Sequence, residues 1–198
     1  MYSALRSHIE AIVSLTDSEF EEFVSILSLE KFKKDEFIIR QGDAVTKEYY
    51  VLEGCAQAYY ASETGDRSVL QFAIEDWWIS DFSAFYNNTP AVLNVRCIED
   101  TVVLGLHRQH LEEFYERVPK FERFFRIKVT KAFLSLKNRI QSGLDKNSKE
   151  RYLDFCQTYS NIERRVPNYQ IASYLGIQPQ SLSRIRKEIQ TSGPDIST

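Results

Sequence analysis

Near the C-terminus, a short run of side chains has types and spacing suited to reading a polyanion. In the stretch Pro179 to Lys187, apolar Leu182 and Ile185 lie three apart, as on one helix face. The outward positions carry Gln178, Gln180, Ser181, Ser183, Arg184 and Lys187. Amides, hydroxyls and guanidinium groups are what hydrogen-bond to base edges and to phosphates. Arg184 can fork onto a guanine and Gln180 can pair with an adenine in a major groove, and a separation of four puts both on one side of the rod. Gln178, Ser181, Arg186 and Lys187 suit phosphate anchoring. For Arg186 and Lys187 an ordinary solvated helix face explains the charge as well.

These side chains need a rod held at a set angle, and the residues before them supply one. Tyr169, Ile171, Ala172, Tyr174 and Leu175 read as a short helix, Gly176 breaks it, and a second helix starts near Pro179, which suits a first helical turn. This is a helix-turn-helix pattern. Ala172 is small where two helices cross, Gly176 can take the positive φ of a tight turn, and Ile177, Leu182 and Ile185 plug a small core. Helical hairpins also occur in protein-binding modules, so charge has to arbitrate. The formal net charge is -3. Residues 1–119 hold 10 Lys and Arg against 21 Asp and Glu, whereas residues 120–190 hold 15 against 6. Only the second region attracts a polyanion, and double-stranded DNA becomes the leading partner.

Upstream, Phe20, Phe23, Val24 and Leu27 predict an amphipathic helix over 15–29, capped by Thr16 or Asp17. From Phe37 to Leu106 the texture turns to short runs of Val, Ile, Tyr and Phe between turn formers. Strands are expected near 37–40, 49–53, 55–60, 67–73, 92–98 and 101–106, spaced as in a jelly roll. A helix then runs over 119–144, with Phe121, Phe125, Val129, Ala132, Leu136 and Ile140 at spacings of 4, 4, 3, 4 and 4. A second apolar row, Phe124, Ile127 and Leu134, widens that face, and the excess points to a partner subunit; packing within the monomer is the alternative. Gly143 and the polar stretch Asp145 to Ser148 form a hinge, and Asn147 with Glu150 predicts a capping box for a helix to about Tyr159. Asn161 to Pro167 is expected to be a short connection, and Ser192 to Asp195 a disordered tail. The fold class is therefore α+β: a jelly-roll effector or sensor domain over 1–118, a long dimerisation helix over 119–144 and a helix-turn-helix domain over 145–198.

A jelly roll, a long helix and a helix-turn-helix, in that order, resemble the Crp/Fnr family of bacterial transcription regulators over nearly the whole chain. The matching residues are Gly42-Asp43 and Gly54 at barrel turns, Ile171-Ala172, Leu175-Gly176-Ile177 and Leu182-Ser183-Arg184-Ile185. The resemblance implies a homodimer joined through the long helix, a barrel sensing a small effector, and a palindromic DNA site read by Gln180, Ser183 and Arg184. Activation in such regulators works through an exposed patch touching RNA polymerase, and nothing in this sequence marks one. Members that bind cyclic nucleotide carry Gly-Glu-Leu on a short helix and then an Arg followed by a small residue. Here the stretches are Ser80-Asp81-Phe82 and Pro90-Ala91-Val92-Leu93, with no arginine, so a phosphate would lack its bidentate partner and cyclic AMP is not the expected effector. The chain ends a few residues past the second helix, so the β-wing of this family is expected to be short or absent, with Arg164 and Arg165 supplying backbone contact instead.

Other constellations are weaker. Phe72, Trp78, Ser80, Asp81, Phe82, Phe85 and Leu93 are candidates to line an effector pocket, although aromatic filling of a barrel accounts for the rings equally well. His107 and His110 have no evident third ligand, so no metal is expected. Cys55, Cys97 and Cys156 show no paired spacing, and the N-terminal cysteine cluster of iron-sulfur members of the family is missing, so neither a disulfide framework nor a cluster is expected. Phosphate loops, nucleophile elbows and zinc-protease helices are absent, which argues against an enzyme. Apolar runs are too short for a membrane span and no export signal opens the chain, so a cytoplasmic location is expected. Two other readings stay open: a small-molecule sensor that docks on proteins through its basic hairpin, and a constitutive DNA binder with a vestigial barrel.

Overall fold

The computed structural model describes residues 2–192; the expected tail from Gly193 onward lies outside them. Two helices open the chain, α1 (Ser3–Glu10) and α2 (Asp17–Ser25). Thr16 caps α2 in a reciprocal capping box with Glu19, satisfying two orphan N–H groups. The helix ends earlier than its apolar periodicity predicts. Leu27 and Leu29 belong instead to strand β1 (Leu27–Phe32), because their backbone pairs with the last strand of the barrel rather than with the next helical turn.

Seven more strands follow: β2 (Phe37–Ile39), β3 (Lys47–Glu53), β4 (Ala56–Ala61), β5 (Arg67–Ala73), β6 (Trp78–Ile79), β7 (Asn94–Cys97) and β8 (Thr101–His107), with the short helix α3 (Phe82–Asn87) after β6. They form two antiparallel four-stranded sheets, ordered β1-β8-β3-β6 and β2-β7-β4-β5, the jelly roll that the turn spacing predicts. Gly54 shows why one turn needs glycine. Its φ is +101°, and a Cβ there would stand 2.4 Å from the Asp100 carbonyl oxygen. Between the sheets, Val51, Ala56, Ala58, Ile79, Phe85, Val95 and Val103 are all buried and fill the barrel.

Helix α4 (Arg108–Arg117) leads into α5 (Lys120–Asp145), which is 26 residues long. The first turns of α5 are not free to meet a partner. Phe121, Phe124 and Phe125 are buried with Phe23, Phe114, Tyr50 and Leu106, between the outer face of the first sheet and α1, α2 and α4. Phe121 lies 4.6 Å from Phe23 and 4.7 Å from Phe114, ring centre to ring centre. Burying one such ring is worth about 1.5–3 kcal/mol. Phe121 and Phe125 therefore hold α5 to its own subunit and are not dimer contacts, a correction to the periodic reading.

The chain continues through α6 (Ser148–Thr158), α7 (Ser160–Arg165), α8 (Asn168–Leu175) and α9 (Pro179–Ser192). Asn147 and Glu150 make the expected capping box. Helix α7 occupies the stretch expected as a plain connection, because Ile162 and Val166 need burial against Tyr152 and Phe155. A third core joins this helical unit to the barrel: Cys55, Tyr59, Val69 and Phe72 of the second sheet meet Phe155, Ile171, Ala172, Leu182 and Ile185. Among the described residues no helix is long and apolar enough to cross a membrane.

Candidate functional site

Helices α8 and α9 cross through Ala172 and Leu182, both fully buried. Between them Gly176 takes φ +64° and ψ 39°, and the Ile177 N–H donates to the Ala172 carbonyl at 3.0 Å, closing the turn. This left-handed cap costs glycine little and a β-carbon-bearing residue much more. Leu182 and Ile185 then fix the rotation of α9, and the rotation decides which side chains face outward. Gln178, Gln180, Ser183, Arg184 and Lys187 are exposed, whereas Ser181 is half-buried. Arg184 is three-quarters exposed and only 3.8 Å from Glu188, too loose to hold its fork. The Ser183 hydroxyl donates to the Pro179 carbonyl at 3.0 Å and keeps its acceptor lone pairs outward.

Two of the expected phosphate anchors have partners inside the protein. Arg186 Nη2 lies 2.7 Å from Glu163, and its Nη1 donates to Asn168 Oδ1, so the side chain braces α9 against α7 and α8. Arg165 is occupied more completely. Its Nη1 and Nη2 donate to Glu75 at 2.7 and 3.0 Å, and its Nε and Nη2 donate to Glu99 at 3.1 and 2.7 Å. Both carboxylates belong to the barrel half, so Arg165 is a clamp between the barrel and the helix-turn-helix unit. Burial raises the Glu75 carboxyl, but Arg165 and backbone N–H donors lower it by more, and it is held below its ordinary value. Arg164 beside it is exposed. A second tether runs through Ser173 of α8, whose hydroxyl donates to the Arg67 carbonyl at 2.7 Å and accepts from the Val69 N–H at 3.0 Å. No feature of the sequence marked either tether, since each joins residues about 70 to 110 positions apart, far beyond any local pattern.

The residues expected to line an effector pocket are dispersed over three cores. Phe72 faces the helix-turn-helix unit, 5.3 Å from Tyr174. Trp78 points away from the barrel interior, between Tyr50 and Phe125, with Lys128 Nζ 3.5 Å above its ring, and Phe82 packs against the same core. Phe85 and Leu93 lie inside the barrel, and the Ser80 hydroxyl is spent on the Lys47 carbonyl at 2.9 Å. Asp81 is the informative one. It is 1 % exposed; one carboxylate oxygen accepts from the Ala84 N–H (3.1 Å), the other from the Val92 and Leu93 N–H groups (2.8 and 3.0 Å). The start of α3 and the 92–93 loop thus converge on an anion the protein itself provides.

The thiols of Cys55 and Cys97 are buried, and burial pushes them up to about 12 and about 11, which suits packing rather than redox sensing. His107 uses Nδ1 to accept from the Gln109 N–H at the start of α4. Among the described residues no three His, Cys, Asp or Glu side chains are grouped to hold a metal ion.

The rest of α5 is laid open. Val129, Phe133, Leu136, Ile140 and Leu144 are 46–82 % exposed, at spacings of 4, 3, 4 and 4, the seam of a two-helix contact. Ala132 is exposed beside them. Phe133 was absent from the expected set, though the 4-3-4 spacing from Val129 to Ile140 contains it; Leu144 lies one residue past the next such position, Gly143.

Residues 29–118 match the family model of the cyclic nucleotide-binding domain. No curated protein matches the sequence. Among solved structures, the chain is similar to the c-di-GMP responsive global regulator CLP of Xanthomonas campestris, with a TM-score of 0.72 and 14% identity over 90% of this chain and 93% of that one. It is similar to FixK2 of Bradyrhizobium japonicum, with a TM-score of 0.74 and 19% identity over 85% and 86%. A third likeness is to a CooA mutant of Carboxydothermus hydrogenoformans, at 0.69 and 16% over 92% and 87%. At such identities the likeness is one of fold.

Proposed function

We propose that this chain, which carries a cyclic nucleotide-binding domain and the fold of the Crp/Fnr regulators, is a transcription regulator rather than an enzyme. It reads a palindromic DNA site as a homodimer and does so without cyclic AMP. The observation that carries this reading is the division of α9: Leu182 and Ile185 are locked in the core while Gln180, Ser183, Arg184 and Lys187 stand exposed on the outer side. Such a rod enters a major groove with its polar side chains on base edges, Arg184 on guanine and Gln180 on adenine, and with Gln178, Ser181, Lys187 and Arg164 toward the phosphates.

Two further features support the finer points. An apolar seam from Val129 to Leu144 in water favours a second copy of the same helix, which would set two reading heads about 34 Å apart, one turn of duplex. Asp81 supports independence from cyclic AMP. Its carboxylate already takes three backbone N–H groups where the resemblance puts a cyclic phosphate, and a second anion there would meet like charge without an arginine.

Selection of bound fragments from genomic DNA, followed by titration of the enriched site in rising salt, tests the reading. A palindrome with half-sites one turn apart and a steep salt slope is expected. Affinity unchanged between low and moderate salt, or no enriched site, rejects it in favour of a sensor that works through protein contacts.

A further inference from the structure

The rear of α5 forms one wall of an open cavity of about 470 Å³ whose other walls are α6 and the end of α8. At about 100° per residue, Ser135, Asn138 and Ser142 project from the side of α5 opposite Val129, Phe133, Leu136 and Ile140. A partner helix on the apolar seam leaves this cavity uncovered. Phe155, Tyr159 and Tyr174 give it aromatic walls, with ring centres 5.4–6.5 Å apart.

Charge in the lining is one-sided. Lys131, Arg139 and Arg151 contribute three cations, while Asp154, the lone carboxylate there, is held by Lys146 at 2.5 Å. Arg139 is engaged: Nη1 donates to the Leu70 carbonyl at 2.7 Å and the guanidinium lies 4.5 Å over the Tyr174 ring. Arg151 is not. A guanidinium carries five N–H donors, yet Arg151 Nε is buried without an acceptor and Nη2 reaches only the Ser148 hydroxyl at 3.4 Å. Among the described residues it has no carboxylate partner. Lys131 stands exposed at the rim.

A guanidinium short of acceptors, in a cationic cavity with aromatic walls, selects a planar anion on an apolar body. We infer that this cavity binds a small organic carboxylate with an aromatic or branched body, its carboxylate on Arg151 and its body against Phe155, Tyr159 and Tyr174. Inorganic phosphate would answer the charge and leave the rings uncovered; a neutral aromatic would leave Arg151 unpaired. The cavity lies at the α5–α6 junction, so an occupant ties the long helix to the reading head. That consequence for DNA rests on the regulator reading, whereas binding itself does not.

The test is calorimetric titration of the full chain with benzoate and 3-phenylpropionate, against inorganic phosphate and benzyl alcohol. Saturable binding of the two carboxylates, one per subunit, is expected, with neither control binding. Arg151→Met should weaken binding about tenfold or more, the loss of a charge-assisted pair. Arg151→Lys, which keeps the charge and loses the fork, should weaken it less and guards against misfolding of the first variant. Absence of saturable binding, equal binding of either control, or affinity untouched by both Arg151 variants overturns the site. A chain that takes up benzoate through Arg151 but binds no DNA keeps this site and removes the regulator reading; the reverse removes this site alone.

Discussion

Replacing Arg165 by Gln separates two roles that its position allows. In the structure its guanidinium is 24 % exposed and holds Glu75 and Glu99, themselves 41 % and 35 % exposed at the side chain. A solvated ion pair is worth about 0–1 kcal/mol and breaking a fully buried one costs about 3–5 kcal/mol. A partly screened clamp of one arginine on two carboxylates falls between, so Arg165→Gln should cost about 2 kcal/mol. For a chain of this length that is a fall of about 4–8 °C in Tm, read by scanning calorimetry or circular dichroism. The effect should depend on pH with a definite sign. The Glu75 carboxyl is held below its ordinary 4.5, so its share of the stability is present above the unfolded value and fades as pH falls through the folded one. The gap between wild type and variant should therefore narrow in acid, and also in high salt. A double-mutant cycle with Glu99→Gln should show coupling, since the two groups touch. If Arg165→Gln melts with wild type and instead lowers the salt slope of DNA binding by about one, the side chain is a phosphate anchor and the clamp is not what joins the halves.

Other outcomes follow from the same geometry. Phe133→Asp or Ile140→Asp, each placing a charge on the open seam of α5, should give monomers in sedimentation with folding intact, whereas Phe121→Ala should cost about 3–5 kcal/mol of stability in urea unfolding; equal behaviour of the two classes would contradict the division of that helix. Arg184→Ala should relax sequence preference by about 1–3 kcal/mol at one base pair, while Lys187→Ala should weaken all sequences alike, as read by competition binding on matched and mismatched sites. Asp81→Ala removes the acceptor of three backbone N–H groups and should cost about 1–3 kcal/mol. Millimolar cyclic AMP should leave the wild-type melting temperature where it is, and a saturable rise would show that the Asp81 carboxylate does not exclude a ligand phosphate.

Much of this architecture could be read along the chain because it is written in local chemistry. Asn147 with Glu150 is a capping pair recognisable within four residues, and Gly176 between Leu175 and Ile177 announces its turn. The strand runs of the barrel are set off by turn formers in the same way. Where the reading slipped, a local signal was ambiguous. Leu27 extends the spacing of α2 as readily as it begins β1, and only pairing with β8 chooses. The row from Phe121 to Ile140 is one apolar stripe in sequence, yet its first two turns are buried and the rest is open.

By itself the sequence determined the succession of barrel, long helix and helix-turn-helix and the exposed side chains of α9, since these depend on periodicity, caps and backbone freedom over a few residues. The tertiary structure alone decided that Arg165 faces Glu75 and Glu99, that Asp81 answers the Val92 and Leu93 backbone N–H groups besides capping its own helix, and that Arg151 lines a cavity without a partner carboxylate. Each of these depends on which surfaces meet after the chain has folded back on itself, and no pattern within a helical turn encodes that.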